Sequence, residues 1–154
     1  MTAGDPGDKL EIIELLHRYA ELIDAGDFDG LGELLSRARF GGPRTPTVSG
    51  ARTIAGLFAM TTKRFPDTGT PKTRHLVLNP IVEIDGDSAT ARSTFCVLQA
   101  TESVPFQPIV AGRYHDRFAR DPAGGWHFTE RIADVEMTGD TSDHLLIAAD
   151  RFDR

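Results

Sequence analysis

The sequence predicts an α+β fold in which three N-terminal helices pack on the concave face of a curved, mainly antiparallel sheet. Apolar residues recur at helical spacing up to about residue 64, and from about residue 72 they alternate with polar residues as in strands. Asp85-Gly86, between two such runs, is a strong hairpin signal. Strands of about 12 residues are long for a flat sheet, so the sheet should curl and form, with the helices, a cone with an interior pocket.

The chain of 154 residues is long enough for one domain with a substantial core. We expect a single domain over residues 1–154, with peripheral tails at 1–7 and at about 140–154. The last stretch is polar and acidic apart from an apolar patch at 145–149. Either a short helix or an extended tail is compatible with that composition.

The first helix is predicted to run from about residue 8 to Ala25. Asp8 is its expected N-cap, with Glu11 three residues on, and Gly26 supplies the C-terminal break. One face carries apolar residues at three- and four-residue spacing: Ile12, Leu15, Leu16, Tyr19, Leu22 and Ile23. Asp24 falls at the edge of that face, where partial burial of a carboxylate costs free energy unless the group is paired or has a functional role.

Two shorter helices and four long strands follow. Asp27 is expected to cap the second helix, and Ser49-Gly50 to open the third. Between these helices, residues 39–48 indicate a loop with a short strand around residues 38–40. The predicted helices are Phe28 to Leu35 and Ala51 to Arg64, and the predicted strands are Thr73 to Ile84, Ser88 to Ala100, Ile109 to Arg120 and Trp126 to Met137.

Composition excludes several classes of function. The formal charge is −6 and no basic stripe is present, which argues against binding to nucleic acid or to an anionic membrane surface. The apolar runs are too short to span a bilayer, and the N-terminus does not have the pattern of a signal peptide. Cys96 is the single cysteine, so a disulfide framework or thiolate metal site is not expected. The sequence shows no metal-ligand spacing and no nucleotide motif, so we expect neither a metal nor a cofactor. A cytoplasmic location is the expectation from the N-terminal pattern and the short apolar runs.

Five segments stand in a specific order: RYAELIDAGDFDGL, TRH with NP four residues on, DGD-A, GRYHDRF and GGW-F--R. Together they cover residues 8 to 137 and resemble the SnoaL-like branch of the nuclear transport factor 2-like superfamily. The resemblance implies a cone-shaped α+β barrel with a buried apolar pocket. Enzymes in this group include polyketide cyclases, scytalone dehydratase, bile-acid dehydratase, ketosteroid isomerases and epoxide hydrolases. Many other members have no known activity.

The resemblance also implies a set of catalytic residues. In dehydratases of this group, a Tyr and an Asp five residues apart on the first helix work with a His at the start of the first long strand. The matching positions are Tyr19, Asp24 and His75. Scytalone dehydratase has a second His on the next strand. Here that region is CVLQAT, so the role is absent or is filled by Gln99.

Each of these residues also has a structural interpretation. Asp24 could cap the break after the first helix, His75 could be a satisfied core or edge histidine, and Tyr19 has the spacing of a core residue. If Asp24 instead lies in an apolar pocket, its pKa should rise and give a base that is usable near neutral pH. On its strand, Tyr114 shares a face with Asp116, although a β-bulge would reverse that assignment. We expect the substrate pocket to be lined by Tyr114, Phe58, Val77, Phe95 and Trp126.

The preferred function is cofactor-independent acid–base chemistry on a small, apolar, cyclic substrate such as a polyketide or steroid. A dehydratase, isomerase or cyclase would use Asp24 with His75 as the base pair, and Tyr19 with Tyr114 to hold an oxygen. The alternative is a non-catalytic small-molecule-binding or dimerisation module on the same fold. A third hypothesis, epoxide hydrolysis, requires further polar residues around a bound water. Val, Leu, Phe and Thr on the convex face of the sheet predict a homodimer through that face.

Overall fold

A computed structural model describes residues 4–147 of the chain. Three helices and six strands follow one another in the order α1 (Pro6–Asp24), α2 (Phe28–Leu34), β1 (Arg39–Gly41), β2 (Val48–Ser49), α3 (Ala51–Thr61), β3 (Thr73–Asp85), β4 (Ser88–Gln99), β5 (Gln107–Arg120) and β6 (Trp126–Thr138). The three helices and the four long strands confirm the α+β prediction. None of these helices combines the length and the hydropathy needed to cross a membrane.

The six strands form one curved sheet in the order β2-β1-β6-β5-β4-β3. The four long strands form an antiparallel meander, as predicted, and the short β1 pairs parallel to β6. The short strand predicted around residues 38–40 is β1, whereas β2 was not predicted. Within residues 4–147 the sheet is not closed into a ring, and β3 is one of its edges. The fold is therefore an open cone whose edge strand carries His75.

Alternation along β4 and β5 decides which side chains enter the interior. Ala91, Ser93 and Phe95 are buried on β4, and Tyr114 and Asp116 are buried on β5. The register places Ser93 opposite Tyr114 and Ala91 opposite Asp116. Small side chains at 91 and 93 thus face larger ones on β5, while the large Phe95 faces Gly112, so the concave face packs by pairing small with large residues.

Helix α1 covers this interior with its apolar face, because Ile12, Leu16, Tyr19 and Ile23 are each at most 4% exposed. Its N-cap is Asp5, whose side chain accepts a hydrogen bond from the backbone N–H of Gly7. The prediction of Asp8 as the N-cap was therefore wrong, and residues 5–7 form the cap and first turn of α1 rather than a tail. Residues 1–3 of the predicted tail lie outside the described residues. Pro6 occupies the first helical position, where its missing N–H and fixed φ are no disadvantage.

The predicted capping pair has another role. Asp8 accepts two hydrogen bonds from Arg120 and one from the indole N–H of Trp126, and Glu11 accepts one from the backbone N–H of Trp126. Arg120 also stacks on the Trp126 ring at 4.4 Å. These contacts fasten the N-terminal turns of α1 to the ends of β5 and β6.

The segment after β6 differs from the predicted peripheral tail. Thr141, Asp143 and His144 are buried, and Leu145 forms a β-bridge with Thr62 at the end of α3. Lys63 pairs with the Asp143 carboxylate. Residues 140–147 are consequently part of the packed domain. The predicted apolar patch at 145–149 lies partly outside the described residues.

Gly112 on β5 offers a test of the sheet, because it lies at a register shift between β5 and β6. A Cβ at this position would lie 2.0 Å from the backbone oxygen of Asp134. We expect Gly112→Ala to destabilise the domain by about 1–3 kcal/mol through steric overlap. Chemical denaturation of the purified variant measures this loss.

Gly56→Ala is the matched control. Gly56 lies inside α3, and nothing lies within 4 Å of the position its Cβ would take. Alanine there should stabilise the protein by about 0.5–1 kcal/mol, because it restricts the unfolded chain. Equal effects of the two substitutions would contradict the described packing of β5 against β6.

Candidate active site

Asp24 and His75 form a hydrogen-bonded pair where the end of α1 meets the start of β3. The Nδ1 atom of His75 lies 2.6 Å from Oδ1 of Asp24, and the backbone N–H of His75 donates to Oδ2 at 2.8 Å. Thr73 adds a third hydrogen bond, from its hydroxyl to Oδ1 at 2.8 Å. The side chains of His75 and Asp24 are only 6% and 14% exposed. We call this pair the dyad.

The local sequence explains why the dyad forms. Gly26 adopts a φ of 73°, a left-handed conformation that ends α1 directly after Asp24. Thr73 is buried and pairs with Gln99, and His75, two residues along the same face, pairs with Val97. Alternation on β3 therefore directs the side chains of residues 73 and 75 towards the end of α1.

The electrostatics of Asp24 correct one prediction. Burial raises the pKa of Asp24, but the hydrogen bonds and positive charge of His75 lower it more, together with the hydrogen bond from Thr73. The net direction is downward, so the prediction of a raised pKa was wrong. An ionised Asp24 that accepts at Nδ1 fixes the orientation of the His75 ring and leaves Nε2 as the nitrogen for chemistry.

An open groove of about 320 Å³ runs beside the dyad, between α1 and the edge strand β3. It is lined by His17, Ala20, Glu21, Asp24, His75, Leu76, Val77 and Leu78. The helical members are spaced at three and four residues, so they form one flank of α1. Of the predicted pocket residues, Val77 lines this groove. Small molecules can reach the dyad from here.

The tyrosines and phenylalanines proposed for the site lie deeper, in the closed interior of the cone. Tyr19 and Tyr114 are 3% and 2% exposed, and their rings meet edge to face with centroids 5.7 Å apart. Phe95 stacks on Tyr114 at 4.3 Å, and Phe58 meets Tyr19 at 6.3 Å. These four side chains belong to the hydrophobic core rather than to the wall of the groove.

Trp126 lies far from the dyad. It contacts Asp8 near the N-terminus of α1, whereas Asp24 is the last residue of that helix. A rise of about 1.5 Å per residue separates these two positions by roughly 24 Å along the helix axis. Its prediction as a pocket residue therefore does not agree with the groove beside the dyad. Trp126 anchors the opposite end of the domain.

A buried ion pair beneath the tyrosines was missed by the sequence analysis. Arg131 is fully buried, and its Nε lies 3.3 Å from Oδ1 of Asp116. The guanidinium carbon lies 3.6 Å from the ring centroid of Tyr114 and 4.0 Å from that of Tyr19. Burial raises the pKa of Asp116 to about 6, while the charge of Arg131 acts in the opposite direction.

The same environment keeps both phenols neutral. Burial raises the pKa of Tyr19 to about 12, although the charge of Arg131 and a hydrogen bond with Tyr114 lower it. Burial also raises the pKa of Tyr114 well above its ordinary value. Neutral phenols are hydrogen-bond donors, which is the form needed to stabilise an oxyanion.

His144 is a further residue that the sequence analysis left without a role. It comes from the segment after β6, and burial followed by the charge of His75 lowers its pKa to about 4, against the opposing charge of Asp24. Gln99, the residue expected to replace a second histidine, donates from its amide nitrogen to the backbone carbonyls of Pro71 and Asp143. Its amide N–H groups are thus engaged in holding the backbone.

Within residues 4–147, no three His, Cys, Asp or Glu side chains are grouped closely enough to hold a metal ion. The polar groups of the site instead pair with one another in the dyad and in the ion pair. Acid–base chemistry by side chains is what this arrangement can perform.

Comparison with known proteins identifies the family and shows that the fold is shared. A model of the SnoaL-like domain matches residues 7–132. An NTF2-like protein with a cystatin-like fold from Novosphingobium aromaticivorans superposes with a TM-score of 0.70 at 26% sequence identity, over 89% of this chain and 86% of that chain. A protein of unknown function from Mycobacterium tuberculosis, solved with an aspartate replaced by asparagine, has a TM-score of 0.70 at 23% identity, over 94% and 84%.

A third solved structure has a similar fold. ActVI-ORFA from Streptomyces coelicolor has a TM-score of 0.66 at 18% identity, over 84% of this chain and 98% of that chain. A search of curated proteins found no match. These structures establish the fold that surrounds the dyad.

The depressed pKa of Asp24 predicts how stability depends on pH. Because the folded state holds the pKa below the ordinary 3.8, the ionised carboxylate stabilises the fold above that pH. This contribution disappears as the pH falls through the lowered pKa. Asp24→Asn should therefore cost about 1–3 kcal/mol at neutral pH, and this loss should shrink below pH of about 4. Denaturant titrations of both proteins across pH measure the difference.

Asp29→Asn is the control for this experiment, because Asp29 is an exposed carboxylate in the first turn of α2. It should show little loss at any pH. A constant difference between wild type and Asp24→Asn from neutral to acid pH would contradict an ionised, hydrogen-bonded Asp24.

Proposed function

This chain belongs to the SnoaL-like domain family of the NTF2-like superfamily, and we propose that it is a cofactor-independent acid–base enzyme of the dehydratase, isomerase or cyclase type. The observation that carries the proposal is the dyad of Asp24 and His75 beside an open groove. A histidine oriented through Nδ1 by a buried carboxylate is the arrangement used for general-base catalysis. The resemblance to dehydratases at Tyr19, Asp24 and His75 supports the same assignment.

His75 would act as the base and Asp24 as its positioning partner. In a dehydration, Nε2 of His75 takes the proton from the carbon next to a carbonyl, and the electron pair of that C–H bond forms an enolate. The enolate then collapses, the bond to the β-hydroxyl breaks, and the proton on His75 leaves with it as water. Asp24 remains ionised and stabilises the imidazolium between these two steps.

For Tyr19 and Tyr114 to hold the enolate oxygen, the substrate must pass from the groove into the interior of the cone, where both rings lie. Their pKa values are raised by burial, so both remain donors at neutral pH. Tyr19 lies five residues before Asp24 on α1, about 140° away around the helix axis, and its ring is buried in the interior of the cone. The stacked Arg131 guanidinium adds positive charge next to both rings, where negative charge would develop.

The groove restricts the substrate class. Its volume of about 320 Å³ is at the small end for ligand sites. Ala20 and Val77 give it an apolar wall, Leu76 and Leu78 border it at the exposed edge strand, and His17 and Glu21 provide polar contacts. A small, largely apolar ring compound with a carbonyl and a hydroxyl group matches this lining, as in polyketide-like or steroid-like molecules.

Self-association through the sheet is also proposed. Leu76, Cys96, Ala111 and Met137 stand in register across β3, β4, β5 and β6. Leu76 and Met137 are 38% and 66% exposed, and the other two are partly exposed. An apolar row across the outer face of a sheet is normally covered, and a second copy of the chain would cover it.

The proposed dimer predicts a solution mass of twice the chain mass of 16.8 kDa, measured by light scattering at micromolar concentration. Met137→Lys should shift the protein towards the monomer, because it puts a charge on the apolar row. Met60→Lys is the control, since Met60 is 71% exposed on α3 and away from the sheet. A monomer mass for the wild type would exclude this assembly.

The catalytic proposal is tested with 3-hydroxy-1-tetralone, a β-hydroxy ketone that loses water to give the fluorescent 1-naphthol. Asp24→Asn and His75→Gln should each lower turnover by about 10²–10⁴-fold, because the first removes the carboxylate that orients the base and the second removes the base itself. KM should change much less, since ground-state contacts survive. The double variant should be little worse than either single one, because the two residues act as a unit.

His115→Gln serves as the control, because His115 is exposed on the outer face of β5. A thermal-shift screen with polyketide-like and steroid-like ketones selects further substrates in parallel. If Asp24→Asn retains full turnover on a confirmed substrate, the catalytic proposal fails. Ligand binding without turnover in the wild type would identify a binding module instead.

A further inference from the structure

The segment that follows β6 brings a second histidine to the dyad. The backbone carbonyl of His144 accepts from the N–H of Lys63 at 2.9 Å, and the N–H of Leu146 donates to Thr61 at 2.9 Å. The Asp143 carboxylate pairs with Lys63 and accepts from the hydroxyl of Ser103 at 3.1 Å. These contacts fix the position of His144 between the end of α3 and the sheet.

A short chain of contacts connects this segment to the dyad. The amide nitrogen of Gln99 donates to the carbonyl of Asp143 and to that of Pro71, each at 3.0 Å. Gln99 pairs with Thr73 across β4 and β3, and the hydroxyl of Thr73 donates to Asp24. The backbone at Asp143, directly before His144, is thereby connected through Gln99 and Thr73 to the carboxylate of Asp24.

The side chain of His144 is buried and incompletely bonded. The residue is 6% exposed, and its Nδ1 atom has no hydrogen-bond partner within the described part of the chain. Leaving a buried polar atom unpaired costs about 1–3 kcal/mol. The charges of His75 and Asp24 both act on the pKa of His144, which agrees with the connection through Gln99 and Thr73. A neutral imidazole with an unused ring nitrogen therefore lies beside the dyad.

We propose that His144 is the second imidazole of the active site and that it contacts the oxygen of the bound substrate as a neutral hydrogen-bond partner. This inference rests on the proposed acid–base function and adds a catalytic residue that comes from outside the helix and strands of the dyad. His75 moves the proton, and His144 donates a hydrogen bond to the oxygen on which charge develops. No proton leaves His144 in this scheme, so its neutral form is the working form.

The position of His144 can be tested without any substrate. Histidine side-chain nitrogen spectra of the uniformly ¹⁵N-labelled protein follow the titration of each imidazole. His75→Gln should raise the pKa of His144, because it removes a neighbouring positive charge, and Asp24→Asn should lower it, because it removes a negative one. Shifts in these opposite directions support the juxtaposition. An unchanged His144 titration in both variants would overturn it.

The contact with ligand is tested with 1-naphthol, whose hydroxyl carries the oxygen to be recognised. Saturation with 1-naphthol should move the His144 nitrogen resonances. The Kd should rise about tenfold in His144→Gln, as for the loss of one hydrogen bond to a buried partner. If the His144 resonances do not respond, an ordered water rather than ligand satisfies the imidazole and the proposal fails.

Turnover of 3-hydroxy-1-tetralone gives the last measurement. His144→Gln should lower kcat by about 10²-fold with the melting temperature nearly unchanged. His144→Asn places an amide nitrogen near Nδ1, and should recover part of the loss if that nitrogen is the donor. Leu146→Gln is the control on the same segment, because Leu146 is 57% exposed. Wild-type kcat in a folded His144→Gln would refute the role.

The outcomes separate the two proposals. An inactive wild type that still binds 1-naphthol through His144 would refute the enzyme and retain His144 as a ligand contact. An active wild type whose His144→Gln variant keeps its full kcat would retain the enzyme and refute His144. Both measurements use the same folded protein.

Discussion

The Asp24 carboxylate is the junction on which the rest of the site depends. It accepts three hydrogen bonds, two from His75 and one from Thr73, and it thereby ties the last residue of a helix to the edge strand of a sheet. Each bond to an ionised acceptor contributes about 1.5–3 kcal/mol, enough together to offset the burial of the charge. One side chain thus fixes the orientation of the imidazole and the angle at which α1 lies across the cone.

Much of this could be predicted from sequence because it follows from short-range periodicity. The switch from helical to alternating spacing located the helices and long strands, and the resemblance to dehydratases located Asp24 and His75. Arg131 was not found because Trp126 and Phe128 face inward, and strict alternation from them would turn Glu130 inward and Arg131 outward. A register shift pairs Arg117 with Glu130 but Phe118 with Phe128, so one extra residue reverses the faces and turns Arg131 inward.

Other errors came from contacts between distant parts of the chain. Asp8 has every local feature of an N-cap, yet its carboxylate accepts hydrogen bonds from Arg120, 112 residues away in the sequence. His144 lies in a polar stretch without periodicity, and its place beside the dyad depends on Gln99 and Lys63. The pKa of Asp24 was predicted in the wrong direction for the same reason. Burial does raise this pKa, as expected, but the hydrogen-bond donors around the carboxylate lower it more, and their number cannot be read from residue spacing.

The end of α1 at Asp24 also has an electrical consequence. The carbonyl groups of the last helical turn carry a partial negative charge equivalent to roughly half an electron. The helix therefore presents its negative pole, together with a carboxylate, to the imidazole ring of His75. A cation on that ring gains from both, whereas an anion bound at the same place would be repelled by both. The helix macrodipole thus makes the groove beside the dyad favour neutral or cationic molecules before any specific contact is formed.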